Sequence, residues 1–477
     1  TSGKSPGKDG ITGEMLRIGA DILGPALTGT FNECLAGHIS PHFGDGRIIL
    51  LPKGGDSTLA KNYRPITLLP VVQKAFTGIL NRRVAPILDT ERSINQMGFR
   101  SDYSTLDGIF TLNLVISNCK EYELPLYLLF LDIQKAFDSV NSGSVYEALQ
   151  VQGVHPKMVR FLYQLNKESQ NVVVVNGKET PIKIGRGVRQ GDCLSPRLFS
   201  SVLEEVFKTL RWCGKGINVN GRYLNHLLFA DDAVLISHDS RQVQVMVDQL
   251  TVALGKVGLS LNGTKTVAIT TNPGGREVTV AGQKVRVVDK CVYLGQEVSL
   301  DNTRFTGEID RRIRAANFTF NKYRTLFTSR LVPMTVKKRL FEGAVLPALT
   351  YASETWVLTG GLANKLAVAQ RRWERKILGI SLLDRRTNEW VRNKTGFVDV
   401  VRYSSERRWR WAARIARLDS GRWARAVLEW HPRGPKRRQG RPAMRWRDAF
   451  VKAAGVEFLR KAANQEEWSR LMALQIQ

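Results

Sequence analysis

The run Leu227-Leu228-Phe229-Ala230-Asp231-Asp232-Ala233-Val234-Leu235-Ile236 places two adjacent acids between two apolar stretches. This is the pattern of a hairpin with buried arms and a charged tip. Two carboxylates about 4 Å apart, at an effective dielectric near 20, repel by roughly 4 kcal/mol. That is comparable to a large part of a domain's net stability, so the pair calls for a cation. Hard oxygen ligands without a His or Cys pattern select Mg²⁺, with Mn²⁺ as the alternative, over zinc. A third acid, Asp132, ends the hydrophobic strand Leu128-Leu129-Phe130-Leu131. If Asp132 meets Asp231 and Asp232, the three can hold a pair of ions about 3.5 to 4 Å apart, the arrangement that stabilises attacking and leaving oxygens in displacement at phosphorus. The chemistry implied is nucleotidyl transfer from a nucleoside triphosphate. Asp138, six residues on, is expected to be carried away by the next turn and to serve as a local cap.

These acids need rigid elements behind them. Apolar runs at 126–131, 171–175 and 227–236 predict strands, while 196–210 and 241–257 predict helices, an α+β pattern. In 308–327 the apolar residues Ile309, Ile313, Ala316, Phe320, Tyr323 and Phe327 recur at helical spacing. Arg311, Arg312, Arg314, Lys322 and Arg324 occupy the remainder of that helix and are expected to face phosphates. No internal repeat of solenoid period is present.

Charge locates the ligand-binding part. The chain of 477 residues carries a net charge of +28. Residues 1–300 hold 33 Lys+Arg against 27 Asp+Glu (+6), whereas 301–477 hold 38 against 16 (+22). Such a basic surface fits nucleic acid, because neutralising phosphates releases condensed counterions. Tryptophan shifts with charge: Trp212 alone precedes residue 356, and the other nine follow. The five cysteines form no C-x-x-C pair, arguing against a disulfide framework or zinc module, and read as core thiols. Gly3-Lys4-Ser5 is not a phosphate loop, since the upstream glycine is missing and Pro6-Gly7 follows. No apolar run approaches the ~18 residues that span a bilayer. The expectation is a soluble intracellular protein, read as part of a longer product because its first methionine is Met15.

Phe229-Ala230-Asp231-Asp232, together with Phe130-Leu131-Asp132-Ile133-Gln134-Lys135-Ala136-Phe137-Asp138, resembles reverse transcriptases, specifically those of non-LTR (LINE-type) retrotransposons. Further blocks follow in that family's order. Ser5-Pro6-Gly7-Lys8-Asp9-Gly10 resembles the N-terminal block of the non-LTR group, and Asn62-Tyr63-Arg64-Pro65-Ile66 and Gln96-Met97-Gly98-Phe99-Arg100 resemble fingers motifs. Gly187-Val188-Arg189-Gln190-Gly191-Asp192-Cys193-Leu194-Ser195-Pro196, Gly258-Leu259-Ser260-Leu261-Asn262 with Lys265-Thr266, and Tyr293-Leu294-Gly295 are similar to the later palm blocks. Looser likeness to RTE-like elements continues in Tyr351-Ala352-Ser353-Glu354-Thr355-Trp356 and Gly440-Arg441-Pro442-Ala443-Met444-Arg445-Trp446.

The resemblance implies a right-hand polymerase fold: fingers and an antiparallel-sheet palm in 1–300, a helical thumb in 301–380, and a basic, mostly helical nucleic-acid-binding region in 381–477. It implies an RNA-directed DNA polymerase with RNA template, DNA primer or target and dNTPs as partners, acting by target-primed reverse transcription. By that resemblance Asp132 and Asp231 bind both metals and Asp232 completes the cluster. Phe137 is an aromatic gate against a 2′-hydroxyl. Lys53 and Arg64 cover the triphosphate, with Gln190 bracing template and nucleotide, its neighbouring glycines letting backbone approach a ligand. Lys265 protonates the departing pyrophosphate, and Tyr293-Leu294-Gly295 positions the primer end. The helix from Glu308 grips the duplex. Trp and Arg side chains in 406–446 stack on single strands or else form the core of a small helical domain. Residues 435–442 read as a nuclear import signal, giving a nuclear location. The family's upstream endonuclease has no counterpart in this chain. The competing readings are a catalytically inactive or repurposed copy that only binds nucleic acid, and an RNA-dependent RNA polymerase or group II intron maturase sharing the palm.

Overall fold

The computed structural model describes residues 3–475 apart from 41, 168, 273, 302–303, 433–436, 438 and 441–442. The import signal expected over 435–442 therefore lies largely outside the described residues, as do Arg441 and Pro442 of the block that ends at Trp446.

The palm is one five-stranded sheet. Among the strands that position the site, β1 is Gly46–Pro52, β2 Tyr63–Leu68, β3 Tyr127–Leu131, β4 Asn171–Val175 and β5 Lys178–Ile182. They are followed by β6 His226–Phe229, β7 Asp232–Ser237, β8 Val267–Thr270 and β9 Arg286–Val287. The palm order is β9-β8-β3-β7-β6, and the fingers sheet runs β2-β1-β4-β5. Central strand β3 pairs antiparallel with both neighbours, Leu131 opposite Ala233 and Phe130 opposite Val267.

Every residue of β3 is buried, because both faces of the sheet are covered. Strand geometry sends alternate side chains to opposite faces. Leu128, Phe130, Val234 and Ile236 enter one core with the helix Thr105–Glu121. Leu129, Leu131, Ala233 and Leu235 enter another, with Phe76, Phe199 and Met246 from the helices Val71–Glu91, Ser195–Lys208 and Ser240–Lys256. The helices and strands anticipated before residue 260 thus form within one or two residues of their expected ends.

The first core continues without interruption into the C-terminal third, through Phe320, Trp373, Trp409 and Trp468. The single helix expected over 308–327 is instead Arg304–Lys322, a break at Tyr323, and Arg324–Thr328. In an unbroken helix residues seven apart are separated by about 10 Å along the axis. The break lets Phe327 stack on Phe320 with ring centroids 4.8 Å apart. Arg311 and Arg312 do not face phosphates either: both turn inward to the buried Glu308, at 3.0 and 2.6 Å, and to the Gly295 carbonyl. Arg314, Lys322 and Arg324 remain exposed.

Of the two readings of the tryptophans, the core one holds for Trp409, Trp411, Trp423, Trp430 and Trp446, each no more than 6% exposed. Two of their N–H groups bond within that packing, Trp446 Nε1 donating to the Glu354 carbonyl at 2.7 Å and Trp423 Nε1 to Asn95 Oδ1. The cysteine expectation is corrected in part. Cys34 and Cys119 are core thiols, whereas Cys193 and Cys213 are exposed and Cys291 is half-buried. Among the described residues no helix is long and apolar enough to cross a membrane.

Candidate active site

Strands β6 and β7 are joined by the two-residue turn Ala230-Asp231, closed by the Phe229–Asp232 pair. Ala230 sits at φ +58, in the left-handed region that a tight hairpin turn requires at its first position. The turn is held from outside by a short segment laid along β6: Met97 N donates to Leu228 O and Leu228 N to Asn95 O, both at 2.9 Å. The side-chain amide oxygen Oε1 of the buried Gln96 accepts from Gly98 N and from Ala230 N. At Gly98 a Cβ would come to 2.9 Å from the Phe229 carbonyl carbon and 3.0 Å from Ala230 Cα, so the two backbones touch.

Asp132 follows β3 directly, and continuing the Leu131–Ala233 register sets it opposite Asp232. Its own backbone is tied on the other side. Asp132 O accepts from Asn262 N at 2.8 Å, its N donates to Thr266 Oγ1, and Gln134 N donates to Ser260 O. The block 258–266 thereby fixes the strand end that carries the acid.

The three carboxyls sense one another. Burial, and then the Asp132 charge, push Asp231 above the usual carboxylate range, against the opposing pull of Arg64. Burial, followed by the charges of Asp231 and Asp132, drives Asp232 up to about 6. Burial and the Asp232 charge together raise the Tyr293 phenol, whose hydroxyl has no partner among the described residues. Against this negative charge stand Arg64 and the Lys265 ammonium, 3.9 Å from Asp132 Oδ2. Among the described residues no three His, Cys, Asp or Glu side chains close into a metal cage. The acids form an open array, which suits an ion that keeps waters and takes substrate phosphates as ligands. The donor set, all carboxylate and only partly offset by Arg64 and Lys265, fits magnesium.

The array faces a cleft of about 850 Å³. Asp132, Asp231, Lys265, Lys53, Arg64, Phe137 and Gln190 all line it, whereas Asp232 is not among its lining residues. Arg64 on β2 is opposite Leu51 on β1, and Lys53 follows that strand, its N donating to Asn62 O, so both cations project from one edge of the fingers sheet. Phe137 stacks on Phe199 at 4.7 Å, which fixes its ring in the cleft wall. Tyr293-Leu294-Gly295 is a hairpin corner with Leu294 at φ +46 and Gly295 at φ +79, held by the Tyr351 hydroxyl on Leu294 O.

Some expectations do not hold. Asp138 is neither carried away nor a cap. A four-residue helix, Ala136–Ser139, starts at left-handed Lys135 and returns Asp138 to the cleft, where its Oδ1 accepts from Gln190 Nε2 at 2.7 Å. The glycines near Gln190 admit neighbouring backbone, and Gly191 also lines the cleft. A Cβ on Gly187 would meet the Phe137 carbonyl at 2.6 Å, and Gly191 lies against Thr67 O. Lys61, Asp192 and Asn262 also line the cleft and were not singled out as site residues. For Lys61 the signal was available, a third cation beside Asn62-Tyr63-Arg64.

Residues 51–298 match the family model described as reverse transcriptase (RNA-dependent DNA polymerase). This chain belongs to that family. The relatives narrow the type. A transposon-derived protein of Caenorhabditis elegans is 33% identical over 50% of this chain and 87% of its own length. The Pol polyprotein of the R2 element of Popillia japonica is 30% identical over 57% of this chain and 38% of its length. The RNA-directed DNA polymerase of the mobile element jockey of Drosophila funebris is 25% identical over 79% of this chain and 42% of its length. This reverse transcriptase is therefore of the non-LTR retrotransposon kind, and it matches less than half the length of the R2 and jockey proteins. Apo telomerase from Candida tropicalis superposes over 86% of this chain and 72% of its own with a TM-score of 0.41 at 13% identity.

Proposed function

We propose that this reverse transcriptase extends a DNA primer on an RNA template by in-line displacement at the α-phosphorus of a dNTP, assisted by two Mg²⁺ ions. The observation that carries this is that Asp132 and Asp231, with Asp232 close enough to feel both charges, line one cleft together with Lys53 and Arg64. Asp132 and Asp231 would hold both ions with Asp232 completing the set. When bound, the ions would lower the cost of charge on the attacking and leaving oxygens.

The chain's own groups do the rest. Arg64 offers a planar fork and Lys53 a point charge to the triphosphate. Phe137, backed by Phe199, closes the sugar side against a 2′-hydroxyl. Lys265, beside Asp132, delivers a proton to the departing pyrophosphate, and the corner at Tyr293-Leu294-Gly295 seats the primer end. The exposed cations of the helix Arg304–Lys322 face the duplex. The division into fingers and palm (1–300), thumb (301–380) and a nucleic-acid-binding C-terminal region (381–477) belongs to this proposal. So do target-primed synthesis and a nuclear site of action.

The test is purified chain with oligo-dT on poly-rA, Mg²⁺ and dTTP. Incorporation that Asp231→Ala abolishes supports the proposal. RNA binding without incorporation would mark a binding protein, and equal use of rNTPs an RNA polymerase.

A further inference from the structure

The segment 95–98, which holds the acidic turn, is in turn tied to the C-terminal third. Trp423 opens the helix Trp423–Glu429, is 4% exposed, and donates its Nε1 hydrogen to Asn95 Oδ1. Other bonds lace the same two parts together. Arg222, in the hairpin of Ile217–Val219 and Arg222–Leu224, donates to the Gly421 carbonyl at 2.8 Å, and its guanidinium lies 4.8 Å over the Trp423 ring. Arg414 and Arg422 both donate to the Asp102 carbonyl, at 2.6 and 2.5 Å, and Arg422 lies 3.6 Å over the Tyr103 ring. Residues 95–103 thus meet β6 through their backbone and the C-terminal helices through Asn95, Asp102 and Tyr103.

Hydrogen-bond chemistry fixes the Asn95 amide. An indole N–H can only donate, so Asn95 presents its oxygen to Trp423 and its NH₂ group to the His226 ring, 3.2 Å from Nε2. That nitrogen is then the acceptor, and Nδ1 carries the proton, which it donates to Asn225 Oδ1 at 2.6 Å. Burial favours the same neutral imidazole, pushing His226 down to about 3. His226 is the first residue of β6, and Leu228, two residues on, bonds to the backbones of Asn95 and Met97. Asn95 therefore holds β6 twice, by its main chain and through His226, while its neighbour Gln96 accepts from the Ala230 N–H of the turn. We infer that Trp423 is a positioning residue for the reaction centre: through the Asn95 amide it locks the segment that holds the Asp231 turn, so the C-terminal helices brace that turn. The inference rests on the proposal that Asp231 works at the reaction centre.

Single-turnover extension of oligo-dT on poly-rA with Mg²⁺ and dTTP, in the full chain, tests this. Trp423→Phe keeps a ring in the core and removes the N–H. Its rate per bound primer–template at saturating dTTP should fall about tenfold, the size expected when a part-buried acceptor loses its donor. The apparent affinity for dTTP should stay within about twofold, since Lys53 and Arg64 stand on the fingers sheet. Trp411→Phe is the control. Trp411 is 5% exposed in the same core and its indole N–H has no partner among the described residues, so its removal should leave the rate within about twofold of wild type. In the Asn95→Ala background Trp423→Phe should slow the reaction no further, the non-additivity of residues that act through one contact. A Trp423→Phe rate within about twofold of wild type, or an effect that multiplies with that of Asn95→Ala, would overturn the assignment. So would a smaller burst amplitude at an unchanged rate, because a merely structural role lowers the number of folded molecules and leaves the rate of each intact. Should Asn95→Ala not fold, the Trp423→Phe and Trp411→Phe rates decide alone. If wild type incorporates nothing, or Asp231→Ala keeps its rate, the reading of the Asp231 centre fails and takes the inference with it, an outcome distinct from an active wild type matched by Trp423→Phe.

Discussion

Gly98→Ala should disable the enzyme without touching any group that binds substrate. Gly98 does not have positive φ, so alanine is excluded there by space and not by dihedral. Its methyl would come to 2.9 Å from the Phe229 carbonyl carbon and 3.0 Å from Ala230 Cα, and closer still to the Ala230 nitrogen, where side-chain carbons essentially never approach within 3.0 Å. Something must retreat by about 1 Å, and the other contacts are main chain on both sides. Overpacking of this kind costs about 1 to 3 kcal/mol, and a 1 Å misplacement of catalytic groups costs about 10²-fold in rate. The methyl pushes on the turn that carries Asp231, so the loss should fall on kcat. Lys53 and Arg64 are carried by β1 and β2, outside the backbone that the clash displaces, so the KM for dTTP should change little. Steady-state extension on poly-rA measures both. Gly143→Ala, in a helix with nothing within 4 Å of the added carbon, is the control and should retain full activity. Gly98→Ala with kcat within about threefold of wild type would refute the idea that this backbone contact sets the carboxylate geometry.

Glu308→Ala should destabilise the chain by about 3 to 5 kcal/mol. It removes a buried carboxylate that accepts from Arg311, Arg312 and the Glu297 backbone and leaves the buried Arg312 without an opposite charge; urea titration checks this. Phe137→Ala should raise rNTP use relative to dNTP by on the order of 10- to 200-fold, the range for a steric pocket change, read by competition between rUTP and dTTP. The pH dependence has a definite sign. Asp232 holds its proton up to about 6 in the fold but only to about 4 when unfolded, so its protonation favours the metal-free fold. That contribution is complete below about pH 4 and is lost as pH rises through about 6. Magnesium competes with this proton, so added Mg²⁺ should raise the melting temperature clearly at pH 7.5 and little at pH 5, by scanning fluorimetry. Asp232→Asn should flatten that difference.

Much of this was legible in the residues, for identifiable reasons. The acidic hairpin showed itself because apolar arms flank Asp231 and Asp232 on both sides, a pattern that burial of both sheet faces demands. Asp132 was legible because β3 is apolar at every position up to it. Asp138 was misplaced because its location depends on Lys135 adopting φ +42, a kink with no signature in propensity. The tryptophans gave no face period because one core collects them from several helices, with Trp409, Trp446 and Trp468 all surrounding Phe450. Arg311 and Arg312 looked like solvent-facing cations, since nothing local announces that Glu308, one turn earlier, is buried. The break at Tyr323 was equally hidden: the 4, 3 spacing persists through it, and only the stacking of Phe327 on Phe320 reveals that the chain turns back.

The direct test of metal binding by the proposed carboxylates is anomalous scattering from Mn²⁺ in crystals holding primer, RNA template and a non-extendable nucleotide. Metal peaks about 2.1 Å from carboxylate oxygens of both Asp132 and Asp231 are expected, disappearing in Asp231→Ala. Manganese bound elsewhere, with the Asp132 side chain turned away from the 230–232 turn, would contradict the account.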